Sequence, residues 1–324
     1  MNIIGREIET GVGLESSRGT PTTPSKWFKK IMSSILPRVE KVIDESSVGV
    51  LEDSEGARIT KKWFDGDLEG ILHADTLGYF LMNLYGHCDT TGDSNAGYSH
   101  EFTLDQNIEH PSLSIYRKDG AIESVKYGGG VVNTLELSAT VDDYIRYKAN
   151  IILATEASSS EVPSYDSEFD FIGRDISIKV ADDEASLTGA TALTVKELTL
   201  NFNANAIADH KFGSYNPDVY NSAFGIEVSL TKNYGDTTFE DLFKSNDYQY
   251  MQIKIEGEAT LGTTGKPTIT ILLNKAQVQT WERTSEVNAL ATESITLKAF
   301  YNSTDTQASS VTVLNATPSY AIGS

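Results

Sequence analysis

Apolar and polar residues alternate along much of the chain. The longest stretch runs Ile145, Tyr147, Ala149, Ile151, Leu153, with Arg146, Lys148 and Asn150 between them. The same period of two recurs at Leu113/Ile115, Leu135/Leu137/Ala139, Ile176/Ile178/Val180, Leu198/Leu200/Phe202 and Phe224/Ile226/Val228/Leu230. It returns at Met251/Ile253/Ile255, Ile269/Ile271/Leu273, Ile295/Leu297/Ala299 and Val311/Val313. Successive side chains of a strand point to opposite faces, so each run predicts a strand with one buried and one wet face. Helical spacing is scarce. Parallel strands need crossover helices, so the sheets are expected to be antiparallel and packed as a sandwich or barrel, a mainly β fold with a few short helices.

Three segments carry helical spacing. Trp27, Phe28, Ile31, Ile35 and Leu36 predict a short helix that Pro37 stops. Leu77, Phe80, Leu81 and Leu84 predict one over 75–85, capped by Asp75 or Thr76 and ended by Gly86. Thr237 to Phe243 has a cap residue and acids in its first turn, which predicts a third. Residues 1–25 are rich in Gly, Thr and Pro without periodicity and read as an extended arm that packs on something else.

An internal repeat is expected. Ser112–Ile115, Val132–Leu137 and 145–153 form one triplet of strands, and Asp175–Ile178, Val195–Leu200 and 224–230 form another, with Val-x-x-Leu-x-Leu in both. Two similar half-domains, 26–155 and 165–324, then flank a serine-rich linker at 156–164.

Composition narrows the function. The 324 residues carry a formal charge of −20, against simple binding to nucleic-acid phosphates, which draws its affinity from Lys and Arg. Acidity serves solubility, or lines a passage through which DNA slides without sticking. Cys88 is the single cysteine, so no internal disulfide forms. The first residues lack a basic region followed by an apolar core, and no apolar run is long enough to span a membrane; a soluble product made in the cytoplasm is expected.

Motifs for chemistry are missing. His73, His87, His100, His110 and His210 lack metal-ligand spacing among themselves or with Cys88. The segment Asp89–Asn95 places His100, not Glu, where a calcium loop needs its twelfth ligand. Gly128, Gly129 and Gly130 precede a strand, whereas a phosphate loop follows a strand and opens a helix; they suit a bend or the close approach of another chain. Glu101, Asp105 and Glu109 have no sign of convergence on a sugar site. No cofactor, no metal and no catalysis are expected.

The order of several pieces resembles the tail tube (major tail) proteins of long-tailed bacteriophages. These are Gly5-Arg6-Glu7 with the stretch to Pro24, Asp67-Leu68-Glu69-Gly70 before the 77–84 stripe, His100-Glu101-Phe102 and His110 to Ile115. Tyr127-Gly128-Gly129-Gly130 to Leu135, Val195 to Asn201 and Phe212 to Pro217 complete the series. The resemblance implies a virion protein whose hexameric rings stack into a tube, with sheets of adjacent subunits joined in one barrel around a DNA-conducting lumen. It implies as partners the chain itself and other tail proteins such as the tape measure, tail terminator and distal tail protein, with DNA passing unbound and no membrane. In that setting two hairpins, 132–139 with 144–153 and 195–202 with 224–230, are candidates to line the lumen. Glu136, Asp142, Asp143, Glu197 and Glu227 would then supply its negative charge, or simply face solvent. Arg6, Glu7, Tyr127, Gly128, Gly129 and Gly130 are candidate contacts between subunits, and the region after residue 256 is left without an assigned fold. Two other readings stay open: another ring-forming or decorating virion protein, and a carbohydrate-binding or hydrolytic β-sandwich.

Overall fold

The computed structural model describes residues 2–29, 31–45 and 49–320. The first part of the chain contributes β1 (Ile8–Leu14), β2 (Lys26–Phe28), β3 (Ile31–Ser33), β4 (Leu36–Asp44), β5 (Gly56–Ile71), α1 (Ala74–Tyr85), β6 (Gly86–Asp93) and β7 (Gly97–Leu104). Then come β8 (Leu113–Asp119), β9 (Glu123–Thr140), β10 (Arg146–Leu153) and β11 (Thr155–Ser158). The remainder adds β12 (Ile176–Ala181), α2 (Glu184–Leu187), β13 (Val195–Asn203), β14 (Ile207–Asp209), β15 (Asp218–Tyr220) and β16 (Gly225–Asn233). It ends with α3 (Thr238–Ser245), β17 (Tyr248–Glu256), β18 (Thr268–Thr284), β19 (Thr292–Ala299) and β20 (Ser309–Asn315).

Every strand pairing among the described residues is antiparallel, as the scarcity of helices requires. Two strands are long enough to serve two sheets. The first half of β9 pairs with β8 and β11, and its second half with β10 and β13. β18 does the same: its first half pairs with β17 and β20, and its second half with β19. The second halves are united in one eight-stranded sheet, β4-β5-β10-β9-β13-β16-β19-β18, with β3 extending the β4 edge. The first halves belong to a second layer, β2-β1-β8-β9-β11 on one side and β12-β17-β18-β20-β7-β6 on the other. Between the layers lies one large core, from Val12 and Leu68 through Leu135 and Phe202 to Leu297 and Val313.

A duplication is visible in these pairings, in a different phase from the one the sequence suggested. β1, β3/β4, β5, α1, β8, β9 and β10 correspond in order to β12, β13, β16, α3, β17, β18 and β19. The bulge of β9 between Val132 and Thr134 recurs in β18 between Val278 and Thr280. Each repeat opens on a single 3-10 turn, Gly5–Glu7 and Gly173–Asp175, whose acid accepts the backbone N–H three residues back: Ile4 to Glu7 at 3.1 Å and Ile172 to Asp175 at 3.0 Å. The Val-x-x-Leu-x-Leu stretches at 132 and 195 are therefore not equivalent strands. They are neighbours, β9 and β13, paired with Leu137 opposite Leu200. The region after 256 completes the second repeat.

The helix expected over 27–36 is absent. Trp27 and Phe28 sit in β2, Ile31 in β3 and Leu36 with Pro37 in β4. Short strand pieces separated by breaks mimic a spacing of three and four, and Pro37 is tolerated because β4 is an edge. The 75–85 and 237–243 segments are helical, and Gly86 ends α1 in the left-handed region at φ 82°. His73, not Asp75 or Thr76, occupies the cap position of α1. Residues 8–14 of the expected arm lie in the chain's own sheet, β1 between β2 and β8, and Glu15 anchors the turn beyond them. Its buried carboxylate accepts from Ser112 (2.6 Å), Ser114 (3.0 Å), and the backbone N–H groups of Gly19 (2.7 Å) and Gly129 (2.9 Å).

All twelve residues of α1 are buried, and the end of the chain closes over it. The Tyr320 hydroxyl donates to the Asp75 carbonyl at 2.7 Å, and Asn315 donates to the Ala74 carbonyl at 3.1 Å. Gly78 permits this: a Cβ there would lie 2.1 Å from the Tyr320 ring. Gly78→Ala is therefore expected to destabilise the protein by about 1–3 kcal/mol through overpacking, read as a lower urea midpoint, with Ala added at exposed Gly56 as a neutral control. His100, fully buried, contacts the Thr317 carbonyl at 2.9 Å and Asn315 at 3.1 Å. Burial pushes its pKa below 6.5, against these bonds. The unfolded chain then takes up the proton first, so stability is complete above about pH 6.5 and declines as pH falls below it. Urea midpoints across pH 5–7.5 are expected to show this decline, and His100→Gln is expected to flatten it.

Candidate functional site

The eight-stranded sheet has two unlike faces. Leu68, Leu135, Leu137, Ala149, Leu200, Val228 and Leu297 turn into the core. The alternate positions form a polar face that no other layer of the described residues covers. Register places Glu69, Lys148, Glu136, Asn201, Glu227 and Lys298 side by side in one row across six strands. A second row holds Arg146, Ser138, Thr199, Ser229, Thr296 and Thr280.

Each cation in the charged row stands beside carboxylates. Lys148 reaches Asp67 at 3.0 Å and Glu69 at 3.3 Å, with Glu136 as its partner on the next strand. Lys298 lies opposite Glu227. Partial burial raises the Asp67 pKa, but hydrogen bonds from Asn150 (2.8 Å) and Lys148 outweigh it and hold the carboxyl below its ordinary value. The same contacts raise the Lys148 pKa, through Asp67 first and Glu69 second. Adjacent opposite charges across strands stabilise a sheet by a few tenths of a kcal/mol each, so the row leaves the face polar without making the sheet depend on it.

Of the acids singled out from sequence, Glu136, Glu197 and Glu227 share this one face, on β9, β13 and β16. Asp142 and Asp143 are exposed in the β9–β10 turn, where Asp143 accepts from the Tyr144 N–H at 2.8 Å and pairs with Arg146. Asp67, Glu69, Lys148, Arg146 and Lys298 were missed. Asp67 and Glu69 lie on a strand that apolar alternation does not announce, and only register reveals the row.

The candidate contacts between subunits divide. Arg6 and Glu7 are exposed in the first 3-10 turn. Tyr127, Gly128, Gly129 and Gly130 are interior, which corrects the expectation for them. The Tyr127 ring lies tilted against that of Phe64 with centroids 5.0 Å apart, and Gly129 (φ 67°) lies where β9 passes from one sheet to the other, its N–H held by Glu15. The glycines serve the close approach of β9 to its own chain: a Cβ on Gly130 would meet the Leu113 carbonyl at 2.6 Å.

Among the described residues, both edges of the eight-stranded sheet end without a partner strand. β4 pairs only with β5, and residues 280–284 of β18 pair only with β19. A sheet polar on one face, double-layered on the other and open at both edges is shaped to be continued. The family model described as "Phage tail tube protein" matches residues 5–319. The chain belongs to this family. No curated protein matches it. The family is a structural one of the virion tail, whose members assemble with themselves and with other tail proteins.

Lys148→Gln is expected to raise the Asp67 pKa toward its ordinary value by removing a donor and a charge. Carbon-detected NMR titration of the side-chain carboxyl checks this.

Proposed function

We propose that the protein self-assembles into closed rings whose eight-stranded sheets join edge to edge, and that the rings stack into the tail tube that conducts DNA during genome ejection. The observation that carries this reading is the sheet itself, unpaired at both edges in a member of the tail tube family. Closing sheets into a barrel removes such edges altogether. The core-covered face must then lie outward, because a second layer already occupies it, so the polar face becomes the lumen wall. Glu136, Glu197 and Glu227 are wall residues, with Asp142 and Asp143 at its rim. Tape measure, terminator and distal tail proteins are the partners at the lumen and the tube ends. The family resemblance implies a ring of six subunits, a sixfold character that six copies of the repeat would also supply.

Electron microscopy of the concentrated protein tests assembly: stacked rings or tubes are expected, and particles that stay monomeric at every concentration, with tail-end proteins added, overturn the reading. Neutralising the wall acids together (Glu136→Gln, Glu197→Gln, Glu227→Gln) is expected to leave tubes intact and slow DNA ejection severalfold. Ejection kinetics from phage carrying the triple variant measure it, since removing like charge lets phosphates linger at Lys148 and Lys298.

A further inference from the structure

We infer that adjacent copies join head to tail through a copy of a joint already present inside the chain, and that three chains, not six, close the ring. The inference rests on the ring reading and deepens it.

Within the chain the two repeats meet where β13 of the second adds to β9 of the first, with Asn201 opposite Glu136 and Asn203 opposite Thr134. The counterpart of β9 is β18, and the counterpart of β13 is β3 with the start of β4. Their equivalent edges, around Thr280–Thr284 and Met32–Arg38, are the two open edges of the sheet. Carrying the internal register over places Arg38 of one copy opposite Thr280 of the next, and Leu36 opposite Glu282.

A second feature supports the same joint. After β13 the chain reaches across to the first repeat: Val219 is buried against Val131 and Ala154, and Arg18 donates to the carbonyls of Val219 and His110. The equivalent segment of the first repeat is the β4–β5 hairpin. All nine residues of β4 are exposed, including the apolar Val39, Val42 and Ile43. The place where it would dock is also apolar and open. Phe300 stands where Ala154 stands in the first repeat, beside the exposed rings of Tyr248 and Tyr301, with the Tyr248 and Phe300 rings 6.1 Å apart. A hairpin with exposed apolar residues and an exposed aromatic patch occupy complementary positions at opposite ends of one molecule.

The external joint differs from the internal one in a way that shifts weight to the hairpin. Pro37 has no N–H, and the Ile35 carbonyl is taken by Arg117 at 3.1 Å. Two ladder bonds are thus missing, and apolar contact by the hairpin makes up the difference. Such a head-to-tail contact closes into a ring when its rotation divides a full turn.

Strand number sets how many chains close it. Each chain brings eight strands. Strands about 4.8 Å apart and tilted about 40° give a backbone diameter of roughly 32 Å for two chains, 48 Å for three and 96 Å for six. Side chains lining the wall take about 12 Å of that diameter, so two chains leave no clearance for a duplex roughly 20 Å across. Three chains are the fewest that admit DNA, and they supply six repeats.

The test places Arg38→Cys and Thr280→Cys in a Cys88→Ser background and oxidises assembled tubes. Expected are disulfide-linked species of two and three chains and none larger, with the released ring at three times the 35.4 kDa chain mass. The mismatched pair Arg38→Cys with Glu286→Cys is the control and is expected to cross-link at least tenfold less. Tubes that do not cross-link at the matched pair, or that yield ladders up to six chains, overturn this inference while leaving the ring reading standing. Absence of rings by microscopy from both the variant and the unsubstituted chain overturns the ring reading and this inference with it.

Discussion

An edge strand carries a row of N–H and C=O groups that water satisfies only until another strand arrives. This chain ends its widest sheet in two such edges, β4 and the tail of β18, while every strand between them is paired on both sides. Proteins that remain single blunt their edges with charge, proline or a covering loop. Here one edge has Pro37 and Arg38, which discourage indiscriminate pairing, yet the hairpin above it exposes Val39, Val42, Val50 and Leu51. That combination favours one partner of matching shape over any passing strand. The second layer and the buried helix α1 pack against the apolar face of this sheet and leave its edges and polar face open.

Much of the strand pattern was legible because burial on one face imposes a period of two, and wherever β8–β10 or β16–β20 bury alternate residues the sequence announces them. The same rule explains what was hidden. β4 is wet on both faces and β5 buries only Phe64 and Leu68, so neither shows alternation. The register could not be read either, and with it went the charged row, since Glu69, Lys148, Glu136 and Glu227 come from distant segments. Tyr127 reads as surface in sequence because it adjoins glycines; the glycines instead bring it inward, onto Phe64. The duplication has a signal in plain view, Ile4-Gly5-Arg6-Glu7-Ile8 against Ile172-Gly173-Arg174-Asp175-Ile176, but a commoner amphipathic pattern masks it.

Equivalent positions have diverged where the two repeats need different neighbours. Gly70, Tyr147 and Leu135 in the first repeat correspond to Lys232, Glu293 and Trp281 in the second. There Lys232 pairs with the fully buried Glu293, whose other oxygen accepts from the Trp281 indole at 2.7 Å. A buried ion pair gains little over apolar packing but penalises any arrangement that separates it. The pair joins β16 to β19, and the Trp281 indole ties β18, the strand at the open edge, to it. In the first repeat the same depth is filled by Tyr147 against Phe80 of α1, at 5.5 Å between rings. One scaffold thus supports an inner joint and an outer edge with different chemistry.

The charge on the uncovered face bears on how a wall can be hydrophilic without being adhesive. Lysines alone would displace counterions from phosphates and hold DNA. Carboxylates alone would repel one another across strands about 5 Å apart and weaken the sheet. The row resolves the conflict by arrangement: Lys148 lies between Glu69 and Glu136, and Lys298 beside Glu227. Lys148 is held in ion pairs with Asp67 and Glu69, and Lys298 has a carboxylate as its cross-strand neighbour. The overall charge of −20 is therefore less informative than its placement: if this face is the lumen wall proposed above, alternating charges spare its strands from mutual repulsion and offer a sliding polyanion few bare cations.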